Sequence, residues 1–327
     1  MLRFLSPSSL LGSQGLSPEI KAIRERLETT SKETVTGRYE DMTKHLSGRI
    51  SQAMLGQKAI DDIEQQGVRI NIREGRLDLT QRSLEVVQTS VSGLSARMQA
   101  AMGSEDTASK NATARDSKAA LNESFSALNA RYGERYLFSG DAATTPPFAS
   151  VDDLLSDIRQ IAIAATDEGD FATQLDTYFN SPTGGWRTNI YAGTDIASNP
   201  DSVPGTDDSI IKIVSGLAVM ALSGANEALP LFNGASNPVF AAAQSLANGQ
   251  TALTNLRASV GLSQAQVETD KESLSVEKTV LTASFNELTA RDQYEAASEL
   301  KDLESSLEAA YTLTSRLANL TLLNFLR

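Results

Sequence analysis

The chain has 327 residues, 40% of them hydrophobic but only 6% aromatic, a balance of Ala, Leu, Val and Ile that suits narrow helix–helix seams better than a thick globular core. It has no cysteine, which excludes disulfides, thiolate catalysis and cysteine-based zinc sites. The net charge of −12 is uneven: residues 1–140 carry 19 Lys+Arg against 17 Asp+Glu, residues 141–238 carry 3 against 13, and residues 239–327 carry 7 against 11, which argues against nucleic acid as a partner.

Met1–Leu16 has one basic residue, and Pro7 and several serines interrupt its apolar residues. It reads as a poor secretory signal peptide. The longest apolar runs, such as Leu217–Leu222, are too short to span a bilayer, so no membrane insertion is expected. Glu19–Thr34 follows as a helix with Ile20, Ile23, Leu27 and Thr30 on one face, Ser17 as its cap and Pro18 in its first turn. Gly37 and Gly48 bracket a polar stretch that reads as a loop.

Seven of the nine prolines lie between Pro146 and Pro238. Two long flanks are therefore free to be helical. In the first flank Ile63, Ile70, Leu77, Leu84, Val91 and Met98 recur every seven residues, joined later by Val87, Leu94 and Ala101. That register predicts a coiled-coil seam. Gly103-Ser104 interrupts it, and Ser104 is a candidate cap for a helix over Glu105–Arg131.

In the middle, Val151–Thr166 reads as a helix with Leu154, Leu155, Ile158 and Ile161 inward, Trp186–Gly193 as a strand, and Ser209–Ser223 as a helix. This segment is expected to be a small mixed α/β insert. Its acidity predicts that it faces outward and tolerates deletion.

The second flank repeats the heptad pattern at Val267, Leu274, Leu281 and Leu288. The phase slips around Asp292–Ala297, as in a stutter, and Leu300, Leu303, Leu307, Ala310 and Leu317 resume it. Leu317, Leu320, Leu322, Leu323, Phe325 and Leu326 make the end of the chain apolar on almost every side, which calls for burial against other molecules. Two proline-free flanks of similar length most simply pair antiparallel. The expected fold is mainly α: an elongated antiparallel helical coiled-coil rod with the small insert.

No constellation for chemistry emerges. The single histidine, His45, lies beside Lys44 in a polar stretch and reads as solvated. Asp195, Asp201, Asp207 and Asp208 lack the spacing and final Glu of a calcium loop, and Gly184-Gly185 lacks the Lys and Ser/Thr of a phosphate loop. No catalytic, cofactor-binding or metal-binding residue is expected, and no cofactor.

Particular stretches carry a family resemblance. Arg135-Tyr136-Leu137-Phe138-Ser139-Gly140, running on through Asp141 to Pro147-Phe148, resembles the segment after the first coiled-coil helices in junction members of the flagellin family, the hook-associated protein 3 type. Val35-Thr36-Gly37-Arg38, Arg257-Ala258-Ser259-Val260-Gly261 through Gln266-Val267, and the tail Leu317–Arg327 are similar to other flagellin-family motifs. After Arg38 the chain departs from the family, reading Tyr39–Ser47, and its first sixteen residues do not match the usual opening.

The resemblance implies a non-enzymatic, extracellular structural protein of the bacterial flagellum, exported without a cleaved signal peptide. It implies a ring of copies joining hook to filament, with a hook-associated protein on the hook side, flagellin on the filament side, and an export chaperone. Residues 1–45 and 301–327 would form the terminal assembly domain, 46–140 and 239–300 the two arms of the rod, and 141–238 the insert. The assembly and seam residues would be Ile63, Ile70, Leu77, Leu84, Val91, Met98, Leu274, Leu281, Leu288, Leu317, Leu320, Leu323, Phe325 and Leu326. A short filament flagellin is the nearest alternative, and a cytoplasmic coiled-coil regulator the alternative from another class.

Overall fold

The computed structural model describes residues 10–325 except 143, 197, 199, 200, 228, 234 and 235, with side chains described from Pro18 to Arg316 apart from Asn226. The protein is mainly α, built on long helices with one two-stranded sheet among the described residues. The chain forms two compact units: Gly67–Glu272, and Met1–Gln66 with Ser273–Arg327.

The helices are α1 (Leu10–Thr36), α2 (Met42–Leu46), α3 (Ile50–Ser90), α4 (Leu94–Gly103), α5 (Thr107–Leu128), α6 (Val151–Ala164), α7 (Glu168–Asn180), α8 (Asp208–Leu222), α9 (Asn237–Thr289) and α10 (Gln293–Phe325). Strands β1 (Arg131–Tyr132) and β2 (Arg135–Tyr136) form an antiparallel hairpin.

In the unit Gly67–Glu272, α3 and α9 run antiparallel. Lys271 Nζ lies 2.9 Å from both carboxylate oxygens of Glu74, Gln264 Nε2 2.7 Å from Asp78, and Gln250 Nε2 2.9 Å from the Val91 carbonyl. The first flank is not one helix, however. It breaks after Ser90, and α5 turns back along α4, where Arg97 and Asp116 pair at 2.7 Å. The cap of α5 is Asp106, which accepts from the Ala108 and Ser109 amides at 3.0 and 3.2 Å, while the Ser104 hydroxyl donates back to Ala100. Aspartate in extended backbone satisfies the free amides of a helix start and favours its dipole.

The middle segment is integral to this unit's core. Leu121, Phe125 and Leu128 of α5 are buried with Leu154 and Ile158 of α6 and Val214 and Leu217 of α8. Trp186 is completely buried, with ring centroids 5.6 Å from Phe148 and 5.4 Å from Phe179. The expected strand at Trp186–Gly193 is instead a π-helical turn over Trp186–Ile190, which turns Trp186 and Ile190 inward. The expectation of a dispensable outer insert also fails. Removing 141–238 would strip the partners from α5, whose apolar side would meet water.

The acidity that prompted that expectation has a local cause. Asp167 and Asp207 cap α7 and α8, and Asp152, Asp153, Glu168, Asp170 and Asp208 lie in first turns. Much of the negative charge is helix-start chemistry.

In the second unit α1 pairs antiparallel with α10. The Tyr311 hydroxyl accepts from Arg24, and Arg26 lies 2.7 Å from Glu299. Pro18 lies inside α1 instead of opening it, and the presumed loop between Gly37 and Gly48 holds the short helix α2, capped by Asp41.

Candidate assembly surfaces

The heptad residues occupy two kinds of environment. Leu77, Leu84, Val91 and Met98 are fully buried in the unit Gly67–Glu272, and Ile70 is partly buried against the same core. In the other unit Ile63 is buried, while Leu274, Leu281 and Leu288 are half-buried. The backbone of Leu317, Leu320, Leu323 and Phe325 belongs to α10, but their side chains, and the whole of Leu326, lie outside the described residues.

The pairing of α1 with α10 leaves an incomplete seam. On α1 the inward residues Ile20, Ile23 and Leu27 are half-buried, and on α10 so are Leu300, Leu307 and Ala310, with Ala296 and Leu303 the only buried apolar residues among its described side chains. A two-helix pair can bury one stripe of each helix but cannot enclose it. Met54, Leu55, Val276, Val280, Tyr294 and Leu313 remain exposed in the same unit. These surfaces would gain most from burial against another molecule, at about 25 cal/mol per Å² of apolar area.

Where the heptad phase slips there is a joint, not a stutter. The helix stops at Thr289 and restarts at Gln293, with the Asp292 carboxylate accepting from the Tyr294 and Glu295 amides at 2.8 and 3.2 Å. Beside it, α1 ends at Thr36 and is followed by Gly37, whose φ of +65° suits glycine. A Cβ there would also meet Gln293 Nε2 at 3.1 Å. The Arg291 amide donates to the Gly37 carbonyl at 3.0 Å, and Arg38 bridges to Ala290.

Charge locks the joint. The Arg291 guanidinium pairs with both Glu33 and Glu299, and the Arg291 and Glu33 side chains are only 10% and 6% exposed. The Glu40 amide donates to the other Glu33 oxygen at 2.9 Å. Hydrogen bonds from Arg26 and then Arg291 hold the Glu299 carboxyl below its usual range. Arg291 also lies over the Tyr39 ring at 5.3 Å, and His45 stacks on that ring at 3.7 Å. His45 is thus a packing residue of the joint. Pattern reasoning missed the whole network, because Glu33 and Arg291 are 258 positions apart. The signal available was a helix-breaking glycine opposite a heptad slip.

Among the described residues no group of three metal-ligating side chains comes together, and no helix is long and apolar enough to cross a membrane. What the chain offers is a set of helical faces, and the second flank supplies the longest helix, α9, with 53 residues.

Residues 244–326 match the bacterial flagellin C-terminal helical region. The match takes in nearly all of α9, the joint at Arg291 and the whole of α10. It supports the flagellin family and a flagellar structural role. A search of curated proteins finds no match.

Proposed function

We propose that this chain is a non-enzymatic structural subunit that joins hook to filament in the bacterial flagellum. The observation that carries the reading is the match of residues 244–326 to a flagellin C-terminal helical region, in a chain whose own first flank pairs antiparallel with that region. Assembly would use the half-open seams of residues 1–45 and 301–327. The rod arms, 46–140 and 239–300, would set the spacing of copies. The seam residues Ile63 to Met98 and Leu274 to Leu288 would hold the rod, and Leu317, Leu320, Leu323, Phe325 and Leu326 would be buried between neighbours.

Support for the junction, as distinct from the filament itself, comes from the Arg135–Phe148 segment. Partners are then copies of the same chain in a ring, a hook-associated protein on one side and flagellin on the other, with an export chaperone before secretion. The location is extracellular, reached without a cleaved signal peptide. Immunogold labelling of sheared flagella tests this directly. A single band at the hook–filament boundary is expected. Label along the filament would make the chain a short flagellin instead, and label confined to the cell interior would overturn both.

A further inference from the structure

We infer that a cleft lined by Arg73, Arg76 and Arg135 receives an aspartate or glutamate side chain from a second copy of this chain. The inference rests on the assembly reading above. The cleft lies where the β1–β2 hairpin sits on α3 in the unit Gly67–Glu272. The hairpin approaches closely because residue 75 is glycine: a Cβ there would lie 2.6 Å from the Tyr132 hydroxyl. This contact brings Arg135 of β2 to the same cavity as Arg73 and Arg76 of α3, together with Leu77, Tyr136 and Asp201.

Charge in the cleft is not balanced pair by pair. Arg73 is committed, donating from Nε and Nη2 to the two Asp201 oxygens at 2.5 and 3.0 Å and lying 3.8 Å from Asp270. Neither Arg76 nor Arg135 has a hydrogen-bonded or ion-paired side-chain partner among the described residues. Asp201 feels Arg76, and Asp141 feels Arg135, only at a distance. Arg76 is half-buried and Arg135 exposed, so the pair is open to a carboxylate arriving from outside.

Size selects the ligand. The cavity is about 30 Å³, room for two or three waters on the usual scale of about 10–15 Å³ each. The tip of a carboxylate fits; a nucleotide or sugar phosphate does not. The source follows from charge complementarity. Residues 141–238 hold 13 acidic against 3 basic residues, so every copy brings an acidic surplus to any neighbour.

The test compares full-length wild type with Arg76→Gln/Arg135→Gln by sedimentation velocity over a NaCl series. Arg69→Gln/Arg82→Gln removes the same two charges elsewhere on α3 and serves as control. Circular dichroism and melting temperature confirm that each variant folds. The expected result is self-association weakened about tenfold or more in the cleft variant, with a flatter salt dependence, and little change in the control. Equal weakening in both variants, or none in the cleft variant, overturns the cleft and leaves the assembly reading standing. Wild type that never associates overturns both. Sodium acetate supplies the free-anion arm. If it stabilises wild type beyond NaCl at equal ionic strength, through these two arginines and without altering association, the second copy is not the occupant.

Discussion

Leu84→Asp is the sharpest perturbation of the seam. Leu84 is completely buried on α3 in the main core of the unit Gly67–Glu272. Truncation alone, as in Leu84→Ala, costs about 2–5 kcal/mol from lost transfer energy and the cavity left behind. Aspartate adds the penalty of burying a carboxylate in an apolar core, several kcal/mol more even after relaxation. The sum is comparable to the whole stability of a typical domain, about 5–15 kcal/mol. Val68, on the same helix, is 59% exposed, and Val68→Asp should change stability by no more than about 0.5 kcal/mol. The assay is a urea titration followed by the fluorescence of Trp186, the only tryptophan, which is buried in the same core as Leu84. Leu84→Asp should arrive already unfolded or with its midpoint near zero urea. An unchanged midpoint, or an equal loss in Val68→Asp, would refute the assignment of faces on α3.

Other outcomes can be checked in the same way. Arg291→Ala leaves Glu33 buried without its cation and should cost about 3–5 kcal/mol, read as loss of helical ellipticity at lower temperature; a loss below 1 kcal/mol, a bound set by surface pairs of about 0–1 kcal/mol, would mean that the joint is solvated. Burial, reinforced by Asp195, pushes the Tyr191 hydroxyl up to about 12. A folded value above the unfolded one, about 10, gives stability that is complete below pH 10 and lost as pH rises towards 12, on the order of 2–3 kcal/mol. Tyr191→Phe should therefore show a shallower alkaline loss than wild type, and identical alkaline transitions would contradict this. Arg73 holds the Asp201 carboxyl below its usual range, so the pair stabilises above the unfolded value and fades as pH falls through the folded one. Asp201→Asn should cost about 1–3 kcal/mol at pH 7 and progressively less at acid pH, and a pH-independent cost would show that the bond works without charge.

Long-range order was legible where it rests on period and punctuation. The heptads placed α3 and α9, and proline-free flanks implied their antiparallel pairing, which Lys271–Glu74 and Gln264–Asp78 realise. Residues 141–238 were misread because aspartates that cap helices look the same in a composition as aspartates on a solvated surface. Trp186–Ile190 was misread because two apolar residues four apart suit a strand pattern as well as a helical turn, and only packing shows that Trp186 and Ile190 are buried together while Thr188 and Asn189 stay exposed. The joint was invisible for a different reason. Glu33 and Arg291 carry no local signature, and only folding shows that a charge pair is buried.

The second flank shows why pattern and coverage must be kept apart. Leu246, Leu253, Val260, Val267, Leu274, Leu281 and Leu288 hold one heptad position along α9. The first four are at most 5% exposed, and the last three are only half-buried. The side chains do not change character between the two groups, so the difference lies in what covers them. Around the N-terminal part of α9, α8 adds a layer: Ser245 donates to the Lys212 carbonyl at 3.2 Å, and a Cβ on Gly249 would meet Ile213 at 2.8 Å. In the other unit the C-terminal part of α9 meets the start of α3, where Lys278 pairs with Glu64 at 2.9 Å, and the short helix α2 lies beside it only near Phe285. Half-buried leucines in a row leave an apolar stripe that another molecule could cover. Association with further copies would supply the missing cover, and the flagellin C-terminal match spans both the covered and the half-covered parts of this stripe.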